Sequence, residues 1–209
     1  MLKHLTALGL SLLLAACTSD PTVPKYAGTD AGYLAIALGA SHQSFYGDYM
    51  IYFRKADGSA DQRVWYGPGN NTYLRRTDFD GPEGAGIVEL RPLAPGNYEI
   101  YDFALHSSGG FSEDRYSAKH DFSLPFTIKT GRVTYLGQFM AIELFADGLF
   151  GKAPAGGLFA VGDQGARDLS IVHKQRPDLT QIDTTVPDVR GLHSPFFVPA
   201  NTVPAAAPL

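Results

Sequence analysis

Only one cysteine, Cys17, occurs in the 209 residues. That excludes an intramolecular disulfide and any cluster of cysteine thiolates around a metal. Charged residues are also scarce, at 18% against the roughly 25% usual for a soluble globular domain. Together with 44% hydrophobic residues, this excludes a disordered, charge-rich chain. Basic residues are outnumbered, 17 Lys plus Arg against 21 Asp plus Glu, for a net charge of −4. A dedicated nucleic-acid binder needs the opposite balance, so no nucleic-acid partner is expected. No apolar run reaches the about 20 residues that a permanent membrane-spanning helix requires. What the chain does have is glycine (23), proline (14), phenylalanine (13) and tyrosine (11). Such a mixture suits short strands and many turns.

Residues 1–16 have the parts of an export signal in order. Lys3 lies in a short basic start, a leucine-rich uncharged stretch runs from Leu5 to Leu14, and Ala15 and Ala16 precede Cys17 and the polar Thr18 and Ser19. The run Leu14-Ala15-Ala16-Cys17 resembles the lipobox of bacterial lipoproteins. That resemblance implies transfer of diacylglycerol to the Cys17 thiol, cleavage before Cys17 and acylation of the new amine. The chemistry needs a thiolate nucleophile, and small residues before it let a peptidase reach the backbone. Two other readings stand beside it: an ordinary signal cut after a small-x-small site, leaving a free thiol, or a buried N-terminal helix. Several acyl chains, each buried methylene worth about 0.8 kcal/mol, hold a protein on a membrane without a spanning segment. In families with this motif an Asp after the cysteine commonly retains the protein at the inner membrane. Thr18 stands there instead, so an outer-membrane location is expected if the envelope is Gram-negative.

Residues 17–31 read as a polar tether, with prolines at 21 and 24 and no period. From residue 32 the chain alternates short aromatic and β-branched segments with Gly, Pro, Asn and Asp breaks. Strands are predicted over 33–38, 49–54, 62–66, 86–91, 97–105, 124–129, 132–144 and 158–162. In 49–54 the period is two, with Tyr49, Ile51 and Phe53 on one face. Asp57-Gly58 suits a hairpin turn between 49–54 and 62–66. One short helix is predicted over 166–175, bounded by Gly165 and Pro177. The expected fold is mainly β: a single antiparallel β-sandwich over 32–180 with that helix near its end. Residues 181–209 carry prolines at 187, 195, 199, 204 and 208 and read as an extended or disordered tail. Its segment Ser194-Pro195-Phe196-Phe197-Val198-Pro199 could also dock on a partner as an extended strand.

Two stretches sharpen the sandwich reading. Leu93-Ala94-Pro95-Gly96-Asn97-Tyr98 is similar to an L-x-P-G-x-Y strand entry, and Phe126 to Gly131 leading to Tyr135-Leu136-Gly137 is similar to an F-x-I-x-x-G-x-x-x-Y-L-G segment. Both resemble bacterial lipoproteins with a transthyretin-like (prealbumin) or carboxypeptidase-regulatory-like sandwich, related in shape to immunoglobulin domains. The resemblance implies a fold and no catalytic or ligand residues. The insertion 107–122 and the proline-rich end depart from it.

No catalytic signature is present: no G-x-S-x-G elbow, no H-E-x-x-H helix, no phosphate-binding G-x-x-x-x-G-K-S/T loop. His42, His106, His120, His173 and His193 lack the close spacing of metal ligands. The acidic run Asp78-Phe79-Asp80-Gly81-Pro82-Glu83 lacks the repeated oxygens of a calcium loop and reads as a solvated turn. Neither a metal nor a cofactor is expected. The first functional expectation is a noncatalytic envelope lipoprotein, a structural or partner-binding module held to the membrane by lipid on Cys17. The second is glycan binding, with the rings of Trp65, Tyr66 and Tyr73 stacking on sugar faces beside the loop Gly67-Pro68-Gly69-Asn70-Asn71. The third is a hydrolase hidden in 107–121 with His106 and His120 as bases.

Overall fold

The computed structural model describes residues 25–68, 77–108, 113–119, 122–148, 151–192 and 196–203. The signal 1–16, Cys17, Tyr73, His120 and His193 lie outside the described residues. Twelve strands are described: β1 (Gly32–Ala40), β2 (Asp48–Lys55), β3 (Gln62–Tyr66), β4 (Phe79–Gly81), β5 (Gly84–Leu93), β6 (Gly96–Ser108), β7 (Glu113–Ser117), β8 (Leu124–Ile128), β9 (Val133–Gly148), β10 (Gly151–Gly162), β11 (Ile182–Thr184) and β12 (Phe197–Pro199). One α-helix, α1 (Gly165–Gln175), follows β10. The chain is thus mainly β, as its turn-rich, aromatic composition predicts.

The strands form two sheets. The larger runs β12-β10-β9-β1-β5-β4, with β11 also on β9; the smaller runs β3-β2-β6-β7, with β8 also on β6. Period-two burial decides which side chains meet between them. Leu34, Ile36 and Leu38 of β1 face Tyr49, Ile51 and Phe53 of β2 and Phe103 and Leu105 of β6 in one shared core. The alternate positions of β1, Ala35 and Ala37, are buried on the other side of the larger sheet, where Val88, Val133, Tyr135, Val172 and Leu179 form a second cluster. Helix α1 covers that side. Its buried Asp168 accepts a 2.5 Å hydrogen bond from Tyr135 Oη, which in turn accepts the Gln164 backbone N–H at the helix start. Burial first, and the Asp168 carboxylate second, push the Tyr135 phenol well above its ordinary range.

The larger sheet is mixed, which corrects the purely antiparallel expectation. β1 pairs antiparallel with β5 but parallel with β9, from Tyr33 opposite Val133 to Ala40 opposite Ala141. The turn at Thr130-Gly131 explains this. It does not fold β8 back on β9 as a hairpin but carries the chain from the smaller sheet to the larger, since β8 pairs with β6. Gly131 N–H donates to Ala31 O and Tyr33 N–H to Arg132 O, each at 2.9 Å, so β1 and β9 start at the same end and run the same way. At Gly137 β9 bulges, with φ at +88° and the site of an added Cβ only 2.7 Å from Gly162 O.

Of the stretch 181–209, read as an extended or disordered tail, the described residues 181–192 and 196–203 carry two short strands that are built into the larger sheet. β11 lies parallel on β9 and β12 parallel on β10, with Phe159 N–H donating to Phe196 O at 2.8 Å. Asp183 of β11 accepts from Arg132 Nε at 2.9 Å and Lys129 Nζ at 3.1 Å. These bonds hold its carboxyl down at about pKa 2. Phe197 is 3% exposed, edge-on to Phe122 at 4.6 Å between centroids, and grouped with Phe103, Phe159 and Phe139. Prolines tolerate this role because an edge strand needs no outward N–H.

If this segment is part of the core, Phe197→Ala should lower the unfolding free energy by about 3–5 kcal/mol, as for other buried phenylalanines. Arg190→Ala, on the exposed Arg190–Asp188 pair, should leave the denaturation midpoint in place. Equal midpoints for Phe197→Ala and the parent chain would mean that the segment adds nothing to the core.

Candidate functional site

Adjacent residues on a strand face opposite ways, and this divides the expected aromatic row. Tyr66 is 4% exposed and stacks on Tyr49 inside the shared core, so it does not serve an exposed ring surface. Trp65 is half-buried on the outer face of the smaller sheet, where its Nε1 donates to Asp48 Oδ1 at 2.9 Å. The other oxygen of Asp48 lies 3.3 Å from His106 Nδ1. His106 is therefore engaged across β2 and β6 with Asp48, while Trp65, His106 and Asp48 fix one another. Further along this face Arg54 stacks over the Tyr101 ring at 4.2 Å, and Tyr101 Oη donates to Asp61 at 2.6 Å. Burial, then the Asp61 carboxylate, raises the Tyr101 phenol. These contacts tie outward-facing side chains to one another.

The acidic run 78–83 forms the β4–β5 hairpin, with Asp78 accepting the Val88 N–H at 2.7 Å and His42 lying 3.3 Å from Asp80. Among the described residues no group of three or more His, Cys, Asp or Glu side chains could hold a metal ion. No helix among them is long and apolar enough to cross a membrane.

The site that sequence reasoning missed is an arm. β1 stops opposite Ala141, whereas β9 continues to Gly148, paired among the described residues with β10 alone. At about 3.3 Å per residue, positions 142–148 project the hairpin roughly 20 Å beyond the end of β1. The chain enters β1 at Gly32, the opposite end of that strand. The arm carries exposed apolar side chains, Leu144 at 43% and Phe145 at 48%, near Phe45 at 47%. These are the large hydrophobics exposed among the described residues.

The base of the arm is fixed by Glu143. Its carboxylate accepts the backbone N–H of Phe45 at 2.8 Å and of Tyr46 at 2.9 Å, together with a short hydrogen bond from Tyr49 Oη. One side chain of the larger sheet thus holds the 41–47 connection and reaches into the smaller sheet. Burial, then Glu143, pushes the Tyr49 phenol up. On the β10 side Pro154 precedes a register shift to Gly156. Gly156 has φ +134°, and a Cβ there would sit 2.7 Å from the Tyr116 ring, so only glycine lets β10 settle against β7. The sequence held one usable sign of the arm: Asp147-Gly148, a hairpin dipeptide, interrupts a stretch from Phe139 to Phe150 that is otherwise apolar except for Glu143.

No known family model matches the sequence, and no curated protein matches it. Among solved structures the chain is similar to a leucine-rich repeat protein from Bacteroides thetaiotaomicron, at 10% identity and a TM-score of 0.32. The match covers 52% of this chain and 13% of that one, so this chain spans a small fraction of its length. Similarity at that level carries no argument about fold or function.

Glu143→Ala removes a charged acceptor from two amides and a phenol in a part-buried position. It should lower stability by about 2–3 kcal/mol, the scale for hydrogen bonds to a charged group. Hydrogen exchange at the Phe45 and Tyr46 amides should quicken in step. Unaltered exchange there would show that the connection holds its shape without the carboxylate.

Proposed function

We propose that the protein is a noncatalytic, partner-binding lipoprotein of a bacterial cell envelope, anchored through acyl chains on Cys17 and presenting the β9–β10 arm to another protein. The observation that carries this reading is the arm itself: Leu144 and Phe145 stand exposed on a hairpin that runs on past the end of β1 and is clamped at its base by Glu143. Large apolar side chains held exposed on both faces of a fixed hairpin, rather than packed, favour an interaction site. Anchoring rests on the likeness of Leu14-Ala15-Ala16-Cys17 to a lipobox. A chain with net charge −4 has little attraction of its own for an anionic lipid surface, which leaves attachment to the acyl chains. Thr18 after the cysteine favours the outer membrane in a Gram-negative cell.

In finer detail we read the two sheets as a transthyretin-like or immunoglobulin-like sandwich. Supporting it, Tyr98 at the start of β6 donates its hydroxyl to Ala94 O at 2.8 Å, a closure of the kind used at the corners of such folds. Glycan binding is the second reading, supported among the described residues by Trp65, whose indole lies on the outer sheet face away from the core; Tyr73 of the same reading lies outside them.

Metabolic labelling with a palmitate analogue should mark the parent chain and leave Cys17→Ser unlabelled. Label on the serine variant would refute acylation at this residue. A photo-crosslinking benzoylphenylalanine at position 145 should give protein adducts of discrete mass in envelopes, and at position 65 none. Glycan adducts at position 65, with nothing at 145, would replace the partner-binding reading with the glycan one.

A further inference from the structure

We infer that the arm binds by strand addition: an extended, proline-free segment of a second protein, alternating apolar with basic side chains, pairs with the free edge of β9 over positions 142–147. This rests on the arm being the partner-binding site and names the form its partner takes.

The two edges of the arm are unlike. Along β10, Pro154 lacks an N–H, the register shifts before Gly156, and Gly156 lies against Tyr116. These are the devices by which proteins close an edge to further pairing. Along β9 no proline interrupts Ile142-Glu143-Leu144-Phe145-Ala146-Asp147. Among the described residues no strand lies on that side beyond Ala141. Every second residue of a strand directs its N–H and C=O to one edge, so this segment offers a row of donors and acceptors that an extended backbone completes. The line it would take is a continuation of β1, which stops at Ala40 with no described strand following it beside β9.

Side chains select which strand fits. Period two places Glu143, Phe145 and Asp147 on the face that looks toward the smaller sheet, as the bond from Tyr49 Oη to Glu143 requires. Glu143 and Asp147 therefore flank Phe145 along the β9 edge of this face, with Lys152 of β10 opposite Asp147 on the far side from that edge. An incoming strand with basic residues on that face gains from the two carboxylates, and one with acidic residues is repelled. Its apolar residues would meet Ile142, Leu144 and Ala146 on the other face.

The same features disfavour a second copy of this chain as the added strand. Antiparallel pairing centred on Phe145 sets Glu143 against Asp147 of the other copy at both ends. Pairing centred on Leu144 brings the tip of one arm to Ala141 of the other, where Ala40 already sits.

The test uses the folded protein and three fluorescein-labelled peptides: acetyl-Lys-Val-Lys-Val-Lys-Val-amide, its counterpart with Glu for Lys, and the Lys peptide with alternate backbone amides N-methylated. The Lys peptide should bind about tenfold or more tightly than the Glu peptide, the scale of a like-charge penalty at a contact. N-methylation on the pairing side should abolish binding. Phe145→Ala, an exposed position whose loss leaves the core intact, should weaken the Lys peptide, and hydrogen exchange should slow at arm amides alone. Equal binding of all three peptides would overturn pairing through the backbone. No binding of any, alongside protein adducts at position 145 in envelopes, would overturn strand addition while leaving the arm as the partner site. A concentration-dependent dimer in sedimentation, lost in Phe145→Ala, would overturn the inference in favour of a second copy.

Discussion

Strand β1 has no solvent face, and most of the architecture depends on that. Its residues are buried along almost the whole length from Gly32 to Ala40, so both sides of the larger sheet must be covered. The smaller sheet covers one side through Leu34, Ile36 and Leu38. On the other side Ala35, Ala37 and Gly39 of β1 make a shallow surface on which α1 can lie close, with Tyr33 at the start of the strand under the Arg176 guanidinium. The Tyr135–Asp168 hydrogen bond and Arg167 stacked over the Phe79 ring at 3.7 Å fix the helix there. A buried carboxylate at the start of a helix also suits the positive end of the helix dipole.

Strand β9 answers the same constraint along the chain. Its first third lies between β1 and β11, its middle between β1 and β10, and its last third leaves the sheet with β10 alone. Glu143 stands at that last transition and joins the two sheets where β1 no longer can. Residues of the C-terminal segment, chiefly Phe196 and Phe197, close the remaining margin of the core beside Phe103 and Phe122. Aromatic rings thus do in the interior what the sequence offered equally for the surface. Tyr66 lies within, while its neighbour Trp65 faces outward.

Local pattern made the elements legible: eight of the strands and the one helix lie where period, turn residues and caps predict them, and β2 alternates as its sequence does. Partnership was not legible. Thr130-Gly131 and Pro95-Gly96 mark turns, but turn chemistry does not say whether the chain reverses within a sheet or crosses to the other. Here both cross, and the parallel β1–β9 pair follows from the first. Proline content hid β11 and β12, because edge pairing and ring packing are decided by distant residues. The arm was half legible. Asp147-Gly148 marks a turn, but only the point where β1 stops, a fact about another strand, turns the hairpin into a projection.

The parallel course of β1 and β9 has a mechanical side. The chain enters at the start of β1, and the arm leaves at the far end of β9, so a pull between the N-terminal side and the arm runs along both strands in opposite senses. Strands loaded this way slide against each other, and their hydrogen bonds share the load together, whereas a pulled hairpin opens one bond at a time. A tug on the arm would be resisted by the whole β1–β9 seam, buried on both faces, before any strand could leave the sheet.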